Sequence, residues 1–418
     1  MNRLYAFIIV SAFLTGAEAK DVVIRISNST DIQRHELVEL DAARILAEAG
    51  LDKNSLVVKN RIGQRLTLQY TYDGKLLFDA SVRPHSFTEY TVTRGVPVVD
   101  NVWVKGRLVP ERKDDIAWEN DRCAYRVYGP ALQKTGEKAF GIDIWVKNTP
   151  ELVVDERYAL DIPGFQETMR LKAAGKEEEA KENGLATTFH VDRGRGYDPY
   201  KVGPSLGCGT PALLLGDSLV MPYCWKEYEI LDNGPLRFTV ALTYGKAKDG
   251  STEHRIISLD KGSNFNKMTV WYENLPQPTD VVGGVVVHEE DSTAFSVGRN
   301  YVEYADPTDD ILGNSSQVYT ACVFPEGVDK TAYLPYVKPE NGNTGHIVGI
   351  HRNLRSNECF TYYFGAAWSK YDVRTQNEWR LRIKEFADSK CHPLTIGDNS
   401  LEKKDSVLFR SEAIDKEI

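Results

Sequence analysis

Between Leu66 and Ala80 the chain alternates in character residue by residue. Leu66, Leu68, Tyr70 and Tyr72 fall on one face, Asp73-Gly74 interrupts, and Leu76, Phe78 and Ala80 resume the alternation. A period of two belongs to a strand, and Asp-Gly supplies the positive φ that a tight hairpin turn needs. A helix would scatter these apolar side chains around its axis, so the segment commits the chain to antiparallel sheet. The pattern recurs elsewhere. Leu236, Phe238, Val240, Leu242 and Tyr244 share one strand face, and Lys267 to Glu273, Val281 to Glu289, and residues 21–26 and 55–60 read as further strands. Helices are few. One is expected from Glu39 to a stop at Gly50. Another starts with Pro163 in its first turn and runs through Arg170, Lys172 and Lys176-Glu177-Glu178-Glu179-Ala180-Lys181, weakened at Gly175. Its acidic run reads either as a solvated helix face or as a flap beside a site. The expectation is a mainly β chain built as a large antiparallel β-sandwich with few helices.

Size and charge bound the rest. A chain of 418 residues with 42% hydrophobic content has material for two cores. We expect an N-terminal β-rich subdomain over 20–110, a large sandwich domain over 111–397 carrying the candidate site, and a loose tail over 398–418. Lys+Arg of 51 against Asp+Glu of 60 leaves a net charge of −9, which argues against nucleic acid as the main partner. Residues 1–19 have the make-up of a signal peptide. Arg3 supplies positive charge, Leu4 to Leu14 is apolar but too short to span a bilayer, and Ala17-Glu18-Ala19 fits a cleavage site. The expected mature protein is periplasmic or secreted, with no membrane anchor. Export permits disulfides among Cys123, Cys208, Cys224, Cys322, Cys359 and Cys391, and one or two bridges plus buried thiols are expected. No Cys-x-x-Cys element points to zinc. No cofactor is expected, although the plentiful carboxylates leave a divalent cation open.

Two dense polar clusters carry the chemistry. The first runs Pro110-Glu111-Arg112-Lys113-Asp114-Asp115 to Trp118-Glu119-Asn120-Asp121-Arg122, then Ala124-Tyr125-Arg126-Val127-Tyr128-Gly129-Pro130. As a strand it places Arg122, Ala124, Arg126 and Tyr128 on one face and Cys123, Tyr125 and Val127 on the other. Buried arginines need partners, so this face is either an ion-pair network with nearby carboxylates or the floor of a polar cleft. The second cluster is His190-Val191-Asp192-Arg193-Gly194-Arg195-Gly196-Tyr197-Asp198-Pro199-Tyr200-Lys201. It leads into the glycine-rich turn Gly203 to Gly209, which lacks the Gly-Lys-Ser/Thr ending of a phosphate loop. Within it, Arg195 or Lys201 suits a carboxylate and His190 or Tyr197 suits proton transfer. A structural loop network is the competing reading. Trp225, with Tyr223 and Tyr228, forms an aromatic patch that is either core or a sugar platform. His288 ends the apolar run Val285-Val286-Val287, where it is either a hydrogen-bonded strand end or a catalyst.

These motifs resemble a known family. Gly106-Arg107, Pro110-Glu111-Arg112, Asp114-Asp115, Trp118-Glu119-Asn120-Asp121 and Tyr128-Gly129-Pro130-Ala131-Leu132 look like the signature of domain-of-unknown-function family 4861, as do Tyr197-Asp198, Lys201-Val202-Gly203 and Ser205-Leu206-Gly207. The resemblance covers about residues 21 to 397. One departure is the absence of a Trp beside Gly196. The resemblance implies a secreted bacterial protein with the large β-sandwich, or supersandwich, of galactose mutarotases and polysaccharide lyases, acting on or binding acidic oligosaccharides. Elimination at a terminal uronic acid requires carboxylate neutralisation, a base near C5 and an acid for the leaving oxygen. On that reading His190 is the base and Tyr197 the acid. Arg195 and Lys201 would bind the carboxylate. Glu119 and Arg122 would orient the sugar from the opposing strand, and Arg193, Asp198, Trp225 and His288 would complete the substrate-binding set. The alternatives are a mutarotase or epimerase, in which His288 with Glu289 or Asp198 matters more, and a non-catalytic carbohydrate-binding protein.

Overall fold

The computed structural model describes residues 19–288, 294–307, 316–340 and 342–398. Residues 1–18 of the expected leader, Glu289 and the tail beyond Asp398 lie outside the described residues. The chain is mainly β, in antiparallel sheets. Val22–Asn28 lies between Ser86–Arg94 and Thr395–Asp398, with Leu56–Lys59 beyond Ser86–Arg94. Beside this sheet, Lys75–Val82 pairs with Arg34–Asp41 and with the short Gln69–Tyr70. The Asp-Gly turn forms as expected, with Gly74 at φ 79°. Ile24, Ile26, Leu40, Phe78 and Val92 join in a first core.

The main core lies between larger sheets. One has eight strands, in the order Trp225–Asn233, Arg237–Tyr244, Thr252–Asp260, Phe265–Glu273, Phe360–Trp368, Gln317–Val323, Tyr301–Pro307 and Phe295–Val297. Opposite it are a five-stranded sheet, including Cys208–Leu215 and Thr279–Val287, and a four-stranded sheet of Asp143–Val146, Cys123–Val127, Asp115–Glu119 and Lys105–Val109. Phe238, Val240, Leu242 and Tyr244 all turn into this core, as their alternation requires. Burying each aliphatic or phenyl side chain contributes roughly 1.5–3 kcal/mol. Gly209, at φ 87°, lets the backbone approach the large sheet so closely that a Cβ there would lie 2.1 Å from that of Phe364. The glycine-rich turn is thus a packing device.

Among the described residues there are five α-helices: α1 (Ala42–Ala49), α2 (Pro130–Gln133), α3 (Val154–Ala173), α4 (Glu177–Thr187) and α5 (Gln376–Cys391). Glu39 belongs to a strand, and α1 starts only after Asp41, whose carboxylate accepts from the Arg44 amide. Pro163 lies inside α3 rather than in its first turn. An interior proline costs a helix about 3 kcal/mol, which burial of Val154, Tyr158 and Leu171 outweighs. Gly175, at φ 72°, ends α3 and separates it from α4, so the expected single helix is two. Helix α5 was not expected. Its Trp379, Ile383 and Ala387 recur every four residues and pack on the large sheet. No helix among the described residues is long and apolar enough to cross a membrane.

The expected disulfides are absent: all six cysteines are free thiols. Cys123, Cys208 and Cys322 are buried, and the first two donate to backbone carbonyls.

Candidate functional site

The two polar clusters meet in space. In the four-stranded sheet, Arg126 stands directly opposite Asp143 on one side and Ala117 on the other, so these side chains share a face with Asp115. The other face of Cys123–Val127 points into the main core. Asp198, from the second cluster, completes the set. Arg126 Nη2 lies 2.5 Å from Asp143 Oδ2 and 3.0 Å from Asp198 Oδ2, and Nη1 lies 3.5 Å from Asp115 Oδ2. Tyr158 donates to Asp115 at 3.1 Å and Trp145 Nε1 to Asp143 at 3.2 Å. The guanidinium is walled by Tyr128, Trp145 and Phe189, with Cζ 4.8, 5.0 and 5.3 Å from their ring centres. Cation–π attraction and three carboxylates thus hold a side chain that is otherwise costly to bury. Three carboxylates around one cation repel each other. Burial and the Asp198 charge push the Asp143 carboxyl up to about 7 against the pull of Arg126, and burial also raises Asp115. The cluster can therefore retain a proton near neutrality.

At the edge of this cluster the loop after α4 turns outward. The Asp198 amide donates to the Phe189 carbonyl at 2.9 Å, which sets the His190 side chain against the cluster. His190 is half exposed, 48% at the side chain. Its Nδ1 donates to the Asp198 carbonyl at 2.9 Å and lies 3.7 Å from Asp198 Oδ2. That bond assigns the proton to Nδ1 and leaves Nε2 as the basic nitrogen. The imidazole packs edge-on against Phe189 at 4.7 Å. Arg112, from the first cluster, lies over the same phenyl ring at 5.9 Å. Its Nη1 is enclosed without a hydrogen-bond partner among the described residues. Arg112 is the residue that sequence reasoning passed over. Its only sequence signal was membership of the first cluster, where Lys113, Arg122 and Arg126 looked equally available.

The remaining expected residues are placed elsewhere or are already engaged. Tyr197 is fully buried and packs on Trp368, because Tyr197 and Val146 exchange backbone hydrogen bonds of 3.2 and 2.9 Å that turn the side chain inward. Glu119 is also buried. It accepts from Lys147 Nζ at 2.7 Å and from the Val153 and Val154 amides at 2.8 and 2.7 Å, so it caps α3. Arg195 pairs with Glu151 and Glu156 at 2.6 and 2.5 Å. Arg193 donates to the Thr188 and Leu185 carbonyls at 2.6 and 2.7 Å. Arg122 pairs with Asp372 at 3.0 Å. His288 bridges Asp306 at 2.6 Å and the Lys201 carbonyl at 2.8 Å. Burial pulls the His288 imidazole down, but the Asp306 carboxylate outweighs it, and the net shift is upward. The Lys201 side chain is exposed. Trp225 is buried and lines a cleft of about 450 Å³ with Tyr223 and Cys224. Of the expected set, His190 and Asp198 come together at the cluster, whereas His288 meets only the Lys201 backbone and Arg193 and Arg195 line a separate pocket. Among the described residues no group of three or more His, Cys, Asp or Glu side chains is placed to hold a metal ion.

Fold and site together define an antiparallel β-sandwich protein with a charged centre where a small sheet meets a long loop. The chain belongs to the family described as Domain of unknown function (DUF4861), whose model matches residues 26–396. It is 28% identical over 402 residues to the uncharacterized protein P7 of Formosa agariphila, a match covering 90% of this chain and 92% of that one. Two solved structures from Enterococcus faecalis align with 91% of this chain at a TM-score of 0.45. They are an alpha-mannosidase, 8% identical, and a protein in glycosyl hydrolase family 38, 9% identical. This chain spans less than half of their length, 46% and 47%. The periplasmic domain of Thermotoga maritima YidC aligns with 68% of this chain at a TM-score of 0.33, with 10% identity and 95% of its own length covered.

Proposed function

We propose that this protein is a carbohydrate-active enzyme that cleaves acidic, uronate-containing oligosaccharides by β-elimination. The observation that carries the reading is that His190 and Arg112 both pack against the Phe189 ring, at 4.7 and 5.9 Å. The Arg112 guanidinium, which faces the Asp115 and Asp161 charges without a hydrogen bond at Nη1, neutralises the uronate carboxylate in place of the engaged Arg195 and so acidifies the C5 proton. His190 Nε2 removes that proton, the electron pair forms the C4–C5 double bond, and the C4–oxygen bond breaks. Asp198 holds the imidazole in the required tautomer, and Arg126 holds Asp198. Tyr128, partly exposed and bound to Arg126 Nη2 at 3.2 Å, replaces the buried Tyr197 as donor to the leaving oxygen. Burial keeps its phenol well above the ordinary value, hence protonated.

Elimination creates a conjugated enol ether, so turnover is read as ultraviolet absorbance across a panel of uronate-terminated oligosaccharides. His190→Ala and Arg112→Gln should each lower the rate at least ~100-fold, in line with loss of an acid–base or electrostatic group. Because the Arg112 guanidinium rather than a metal ion neutralises the carboxylate in this scheme, turnover should survive a chelator. A flat trace across the panel, or a His190→Ala rate within a few-fold of the parent, would sink the proposal.

A further inference from the structure

A second polar cleft, about 570 Å³ in volume, opens where Arg34–Asp41 meets the outer face of the eight-stranded sheet. Its floor follows from strand register. Ser258 stands opposite Lys267 and Lys267 opposite Tyr363, with the buried Thr239 beyond Ser258, so one row of side chains crosses four strands. At ~4.8 Å per strand the row spans ~14 Å, longer than one pyranose ring. In the next row Thr269 and Thr361 share a hydrogen bond of 3.1 Å. The end of α5 forms one wall, where Lys390 Nζ lies 5.2 Å from the Phe386 ring centre and 5.7 Å from that of Tyr363.

The charges in this cleft are unevenly committed. Arg237 grips Asp260 through two bonds of 2.5 and 2.8 Å and lies 2.8 Å from Glu39. Glu36 is bound by Arg34 at 2.6 Å. Three of the four carboxylates at that end are thus held by arginines, Arg237 being shared between Glu39 and Asp260, while Asp73 is bound by the Thr71 hydroxyl. At the other end Lys267 and Lys390 are exposed, and among the described residues neither ammonium makes a hydrogen bond or ion pair. Both approach Tyr363, whose phenol burial pushes up to about 12, so it stays a donor. Hydroxyls in a row, an aromatic wall and two free cations at one end match an extended polyhydroxylated chain bearing carboxylates.

We infer that this cleft is a separate binding site for an acidic oligosaccharide, with Lys267, Lys390 and Tyr363 taking a sugar carboxylate and the Ser258 and Thr269 hydroxyls taking ring hydroxyls. The inference rests on the acidic-oligosaccharide reading above, but not on elimination. It gives the protein a place to hold a chain apart from His190.

The test uses full-length His190→Ala protein, so that the ligand is not consumed. A galacturonate hexamer is titrated by calorimetry, alongside a neutral glucose hexamer. The galacturonate hexamer should bind, the glucose hexamer should bind far more weakly, and added salt should weaken the acidic ligand. Lys267→Gln/Lys390→Gln in the same background should lower galacturonate affinity at least ~10-fold, the low end for lost hydrogen bonds to a charged group. Both lysines are exposed, so an unchanged melting temperature confirms that the double variant folds. Unchanged affinity in the double variant, equal binding of the two hexamers, or no binding by the parent would overturn the inference. A flat absorbance trace from wild-type protein with cleft binding intact would sink only the elimination chemistry.

Discussion

Glu119 lies within a polar motif, yet the structure gives it a supporting role that replacement should expose. Its carboxylate accepts from Lys147 Nζ at 2.7 Å and from the first amides of α3 at 2.8 and 2.7 Å. The Lys147 side chain is 0% exposed and that of Glu119 is 4% exposed, so neither charge is eased by solvent. Burial draws the Lys147 ammonium below its ordinary value, with Glu119 pulling back. Glu119→Gln removes the counter-charge and leaves a buried ammonium whose remaining contact is the Asn120 carbonyl at 2.6 Å. Breaking a buried pair on one side costs about 3–5 kcal/mol, a large share of the ~5–15 kcal/mol that stabilises a typical domain. Urea unfolding followed by circular dichroism should show the midpoint fall with an unchanged slope. Glu119→Gln/Lys147→Met should recover most of the loss, because no charge is then stranded. A loss below about 1 kcal/mol would refute the reasoning. So would full stability combined with lost saccharide binding, which would make Glu119 a sugar contact.

Other outcomes follow from the same contacts. The His288 imidazole has a raised pKa in the fold, so its bond to Asp306 contributes fully below the unfolded value near 6.5 and fades as pH rises through the folded value. A melting-temperature profile from pH 5 to 9 should lose that component in His288→Gln and keep it in a variant at an exposed site. Burial, then the nearby His288, lowers the His346 imidazole to about 3, and its Nε2 accepts from the Leu206 amide at 3.2 Å. Its sign is opposite. Below pH 6.5 only the unfolded chain takes up this proton, at a cost of about 1.4 kcal/mol per pH unit, and nuclear magnetic resonance should find the ring neutral at pH 4. A thiol reagent should label exposed Cys359 and Cys391 quickly, half-buried Cys224 more slowly, and Cys123, Cys208 and Cys322 only after denaturation. Fewer than six thiols in denatured, unreduced protein would restore the disulfide expectation.

Strand alternation was the most legible feature. Leu236 to Tyr244 could be oriented from period alone, because one sheet face is dry and the other wet. Helices were read less well. Helix α5 presents only a narrow apolar stripe among charged residues, and Pro163 is tolerated in α3 by packing that no local pattern records. For the site, the rule that buried arginines need carboxylates anticipated Arg126, but two of its three partners, Asp143 and Asp198, come from distant segments. Tyr197 looked accessible in a polar loop until Gly196, at φ 94°, and the exchange of amides with Val146 turned it inward. Arg112 shows the converse. Its distinction is its place beside Phe189 and His190, and that can be seen only once every neighbour has been placed.

The pairing of Val22–Asn28 with Thr395–Asp398 has a consequence for biogenesis. Ile24 emerges from the ribosome at the start of synthesis, and its neighbour Asp398 emerges near the end. Until then one edge of that sheet has unpaired amides and carbonyls, a template for another chain's strand. Domains that complete early during synthesis escape this exposure, whereas this sheet waits for almost the whole chain. Truncation just before Thr395 would leave the edge open in the finished protein, and aggregation rather than lost chemistry should be its first symptom.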